Sequence, residues 1–221
     1  MTLRATRAEA KTFDARFFER DPDRFSPIAP VAKIFADCTD WPAPADLDRA
    51  LAERAGVRFV LAKPRPRRQR GPVDVREMYD ARIARGEVPT REHNWHDFLN
   101  ALVWATFPRS KATLHARQHR AIAEWAGADV VRKLPNARTR ELDVLALVDE
   151  GGVIVCDDAK LVFGHALYEG FVLGVRSMIA RAVPVSGSAA DADALLAARL
   201  ENVRTPEELP RLPLTPSPRD P

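Results

Sequence analysis

Cysteine is nearly absent from this chain. Only Cys38 and Cys156 occur in 221 residues, far apart and outside any CxxC, which excludes a disulfide framework and a cysteine zinc site and points to a reducing compartment. Long apolar runs are missing too. The most apolar stretch, Val162 to Val175, is shorter than the roughly 18 residues of a spanning helix and contains His165 and Glu169, so no membrane partner is expected. The opening MTLRATRAEAKTFDARFFERD interleaves charges where a signal peptide would be apolar, and cytoplasmic residence is the expectation. Charge of one sign is also scarce: 34 basic against 31 acidic residues leave +3, too little to imply nucleic acid. Finally, there is no GxxxxGK[ST], no GxGxxG after a strand and no GxSxG, which removes the usual signatures of nucleotide binding and serine hydrolysis.

What remains is an ordinary folded composition, 46% hydrophobic and 29% charged. The length suits one globular domain, expected over residues 1–203, with a Pro-rich tail at 204–221 that is either extended or disordered. Periodicity predicts helices over 6–20, 30–38 and 45–55, the last stopped by Gly56, then a strand over 57–62. KPRPRRQRGP at 63–72 is expected to be an exposed basic loop. Its Arg65, Arg67, Arg68 and Arg70 are candidate phosphate contacts for a nucleic-acid partner, although no aromatic residue is interleaved for stacking. A helix from Val75, helices over 94–107 and 111–126, two β-prone runs on either side of DEGG, and helices over 161–182 and 189–203 complete an α+β domain, mainly helical with a small β-hairpin or sheet.

The helix beginning at Asn94 is the most patterned. Asn94 is a good N-cap, with Asp97 placed to reach back toward the cap. Trp95, Phe98, Leu99, Leu102 and Val103 form a core stripe, and Trp104 lies on another face, so the helix is covered on more than one side. His96 and Asn100, four residues apart, then sit in a partly buried setting where each needs a partner: a hydrogen-bonded structural pair, or a catalytic or metal-binding histidine. His115 and His119 share that spacing, as do His165 and Glu169, so these four are candidate ligands of a divalent metal should the helices converge. Ala116 stands where HExxH would have glutamate.

The run YDARIARGEVPTREHNWHDFLNALVWATFPRSK resembles the signature of a bacterial family known as domain of unknown function 3025. The likeness continues through ELDVLALVDEGG, GHALYEG and TPEELPRLPL. Members of that family often close on Gly-x-Pro-Gly-Trp, whereas this chain ends LPLTPSPRDP. The resemblance implies identity and a cytosolic protein, but no chemistry.

Chemistry is suggested by another pattern. Glu141 and Asp143 on the first β run, followed by Asp158-Ala-Lys160 after the second, are similar to the PD-(D/E)XK nuclease layout, in which carboxylates hold Mg²⁺ and a lysine assists water. If the hairpin turns at DEGG, Asp143 faces Asp158. Three functions therefore stay open: a hydrolase-like enzyme with a polar site around His96, Asp97 and Asn100; a noncatalytic binding or scaffold domain; and a Mg²⁺-dependent nuclease using Asp143, Asp158 and Lys160.

Overall fold

In the computed structural model, the structure describes residues 12–63, 72–127, 131–132 and 139–214. The short helices α1 (Pro22–Phe25) and α2 (Ala29–Ala32) lead into α3 (Pro44–Ala55) and strand β1 (Arg58–Leu61). After β2 (Val73–Asp74) come α4 (Tyr79–Ala84), β3 (Glu87–Thr90), α5 (Trp95–Thr106), α6 (Pro108–Ala126) and β4 (Val131–Arg132). The C-terminal part runs α7 (Arg140–Gly151), β5 (Gly152–Val155), β6 (Lys160–Val162), α8 (His165–Val172), β7 (Met178–Pro184), α9 (Ala192–Leu200) and β8 (Arg211–Leu214). The architecture is mainly helical α+β, as the patterning predicts.

Among the described residues, three small sheets serve the helices. β1 pairs with β3 in parallel, β2 with β4 antiparallel, and the largest sheet has the order β6-β5-β7-β8. Within it β5 and β7 are parallel, so the chain needs a crossover between them, and β6 with α8 provides it. Helix α5 is central. Phe98, Leu99 and Ala101 to Ala105 are all buried, and α3, α6 and α8 pack against it. Most of the buried apolar side chains form one cluster extending from Phe17 to Leu209.

Several boundaries differ from the sequence expectation for identifiable reasons. Within 6–20, only a 3₁₀ turn at Phe17–Glu19 lies among the described residues. The segment expected as a strand at 141–148 is α7, because Thr139 caps it by accepting from the Leu142 amide and Glu141 and Asp143 place acidic charge in its first turn. The hairpin therefore joins β5 to β6 and turns at 156–159, not at DEGG. The single helix expected over 161–182 is a strand, a helix and a strand. Its continuous apolar composition suits a buried strand as well as a buried helix, and Gly174, at φ 69°, ends α8 in the left-handed region. The start of the Pro-rich tail is ordered as β8 against β7, while 215–221 fall outside the described residues.

Two close approaches depend on glycine. A Cβ on Gly152 would stand 2.6 Å from the Val148 carbonyl oxygen, and one on Gly164 would stand 2.5 Å from that of Glu150. Gly164 also donates its amide to the Gly152 carbonyl at 2.9 Å. The beginning of α8 is thus pressed against the end of α7, and His165 is delivered beside Glu150.

Candidate metal centre

Three elements meet at that junction. α5 contributes His96 from its first turn, α7 contributes Glu150 from its last, and α8 opens with His165. Their ligand atoms all lie within 4.8 Å of one another, the one such group of histidine, cysteine and acid side chains among the described residues. His165 Nε2 is 3.0 Å from His96 Nε2 and 3.6 Å from Glu150 Oε2.

The outer nitrogens determine what the inner ones offer. His165 Nδ1 lies 2.8 Å from the Asp149 carbonyl oxygen. A carbonyl only accepts, so Nδ1 carries the hydrogen and Nε2 of the neutral ring presents a lone pair. Burial pushes the His165 pKa down to about 3, so the ring is neutral at pH 7. On the opposite side, His96 Nδ1 donates to Glu169 Oε2 at 3.0 Å, and that hydrogen bond pulls the pKa of His96 upward. His165 Nε2 is therefore an acceptor, and the raised pKa of His96 lets its own Nε2 meet that acceptor as a donor when protonated. The two inner nitrogens are compatible only with a proton between them or a cation bound to both. Carbonyl and carboxylate partners on the outer nitrogen are also the usual support of a metal-bound histidine, because they fix its tautomer and orientation.

A separation of 3.0 Å would let one ion reach both nitrogens. Glu150, half-exposed, supplies the third donor, and burial and the neighbouring Asp149 raise its pKa, a cost that a bound cation would relieve.

Behind the ligands lies a buried polar network. Lys111, fully buried, donates to Asp149 and, at 2.7 Å, to Asn100 Oδ1. Asn100 Nδ2 in turn donates to the Tyr79 hydroxyl at 3.0 Å. Burial opposes ionisation of Asp149, but the Lys111 ammonium beside it outweighs that and holds its carboxyl well below the usual range. His115 Nδ1 meets Asp80 at 2.9 Å, and its ring stacks on Trp104 with centroids 5.4 Å apart.

The residues singled out from sequence are distributed unevenly over this arrangement. His96, His165 and Glu169 converge, the last as the partner of His96 rather than as one of the three grouped donors. Asn100 belongs to the lysine network rather than pairing with His96. Asp97 faces away, accepting from the Arg91 amide at 2.6 Å and from its guanidinium, in place of the expected bond back to the cap. His115 is committed to Asp80, and His119, one turn later, is half-buried and outside the group. Asp143 is on helix α7 whereas Asp158 sits in the β5–β6 turn, bonded to Ser188 and the Ala189 amide, and Lys160 starts β6. Asp143 and Asp158 are therefore not cross-strand partners. Arg65, Arg67, Arg68 and Arg70 lie outside the described residues.

Glu150 and Lys111 were not among the sequence candidates. Glu150 is hidden in DEGG, a good turn signal. The threonine cap and the i, i+4 pair Val144 and Val148 were the clues to a helix that would have carried it inward.

Residues 67–162 match the model of the family described as Protein of unknown function (DUF3025). The resemblance read from the sequence is borne out over that span, which includes His96, Lys111 and Glu150 but stops short of His165. No curated protein matches the chain. Two crystal structures of C. violaceum phenylalanine hydroxylase, carrying aspartate-to-lysine and aspartate-to-alanine mutations, are similar at 15% and 16% identity, each with a TM-score of 0.48. Each alignment covers 90% of this chain, and 83% and 84% of the respective partner. At that score neither fold nor activity transfers. No helix among the described residues is long and apolar enough to cross a membrane.

Proposed function

We propose that this chain is a mononuclear metal enzyme whose ion is held by His96, His165 and Glu150, with iron(II) as the working metal. The observation that carries the proposal is the convergence of His96, His165 and Glu150, whose ligand atoms all lie within 4.8 Å of one another, with the outer nitrogen of each ring held by a carbonyl or carboxylate oxygen. Two histidines and one carboxylate are the donor set of non-haem iron(II) oxygenases and would leave the ion open to further ligands. The ion would supply oxygen activation on an organic substrate. The protein would supply a neutral His165 oriented by the Asp149 carbonyl, a His96 oriented by Glu169, and the buried Lys111–Asp149 pair that fixes the end of α7. A reducing, cytoplasmic location suits both a ferrous ion and the two free cysteines.

The same three donors with zinc and a water would instead make a hydrolase, the activity first suggested by the polar helix at Asn94. Anaerobic loading with iron(II) followed by nitric oxide separates the two. The expected result is one equivalent of bound iron giving the EPR signal of a high-spin iron–nitrosyl adduct. Retention of zinc with no iron–nitrosyl signal would move the assignment to hydrolysis, and failure to bind either ion would leave the noncatalytic reading.

A further inference from the structure

Glu150 has a second neighbourhood. Besides facing His165, it lines an open groove of about 520 Å³ between α7, α8 and the strand pair β7–β8, a size that accepts a small organic molecule. One wall is apolar, with Leu147, Leu167, Met178 and Ile179, the last 63% exposed. The other end carries Arg181 and Arg211.

These two arginines are placed against their own electrostatics. They are direct partners in the antiparallel β7–β8 register, so both side chains rise from the same face of the sheet, where like charges repel. Arg181 donates to the Leu209 carbonyl at 3.2 Å, and among the described residues neither guanidinium has a carboxylate partner. On its other side Arg181 is in register with Gly152 of β5, against which Val148 of α7 is packed. An anion seated across the pair removes the repulsion, and guanidinium forks match a carboxylate particularly well.

We propose that this groove binds an amphipathic organic monocarboxylate, with its carboxylate on Arg181 and Arg211 and its apolar body lying along Leu167 and Ile179 toward the metal centre. Its role as the substrate of that centre rests on the metal reading above; its binding does not. Charge complementarity sets the class: an uncharged apolar molecule leaves the arginines opposed, and a cation adds to them.

The test is calorimetric titration of the full chain, metal-free and cobalt(II)-loaded, with octanoate, octanol and octylamine. Octanoate should bind the metal-free chain at least about tenfold more tightly than octanol, with octylamine weaker still. Arg211→Gln, on an exposed position, and Arg181→Gln should each lower octanoate affinity about tenfold and leave that for octanol unchanged. Arg181→Lys, which keeps the charge but not the fork, should fall between, separating recognition from any loss of folding. Equal binding of octanol and octanoate, or octanoate affinity indifferent to both glutamine variants, would overturn the anion site. In the cobalt form, octanoate should shift the visible absorption of the ion. An unchanged spectrum with octanoate bound would overturn the substrate role, whereas failure of cobalt to load would strike the metal reading and leave the anion site standing.

Discussion

Two polar clusters share the Asp149–Glu150 dipeptide and differ in what completes them. Behind α7, Asp149, Lys111, Asn100 and Tyr79 form a closed set in which the buried cation meets a buried anion and the amide is satisfied on both its atoms. In front of α7, His96, His165 and Glu150 bring three ligand atoms together, and the two imidazole nitrogens need a shared proton or cation between them. Sequence-adjacent residues thus serve opposite ends. A closed network fixes the position of a helix, and the open one beside it gains a completing partner only from outside the chain.

That contrast can be broken from either side. The largest effect is expected at Lys111. Lys111→Met leaves Asp149 as an uncompensated buried charge and should cost about 3–5 kcal/mol in urea denaturation, while adding Asp149→Asn should restore much of it. Additive losses would show that the pair does not act as one unit. Next comes Gly164→Ala. Its methyl group would fall 2.5 Å from the Glu150 carbonyl oxygen, so the α7–α8 junction must shift. The expected loss is about 1–3 kcal/mol, together with weaker metal binding; a variant with wild-type stability and affinity would show that the junction has slack. Glu169→Gln probes the open cluster alone. It exchanges the charged partner of His96 Nδ1 for a neutral one and should lower metal affinity by about 10–100-fold at almost unchanged stability. Smallest is Asn94→Ala, which removes the cap of α5 and should cost about 1 kcal/mol without altering metal affinity.

Much of the closed cluster's scaffold could be read from sequence. Asn94 and the stripe of α5 obey cap and period rules that depend on near neighbours, whereas α6 begins at Pro108 rather than at the expected 111 and has no side-chain cap. The open cluster could be read only in part. His96, His165 and Glu169 stood out as polar residues on apolar helices, and their convergence was one of the alternatives. Glu150 did not stand out, because DEGG carries the same local signal whether it turns a hairpin or ends a helix beside a strand. What decides is tertiary: Gly152 and Gly164 let α7, β5 and α8 approach to distances at which any side chain would clash. The run from Leu161 to Ala182 was misread for a related reason, since burial on all sides erases the period that separates strand from helix.

The central claim is that His96, His165 and Glu150 are completed by a metal ion. Its most direct test is anaerobic equilibrium titration of wild type, His96→Ala and Glu150→Ala with iron(II) and cobalt(II), alongside denaturation of the metal-free proteins. The predicted result is one tightly bound equivalent in wild type, a loss of at least about 100-fold in each variant and metal-free stability within about 1 kcal/mol of wild type. Binding in both variants as tight as in wild type, or no binding in any of the three proteins, would contradict it.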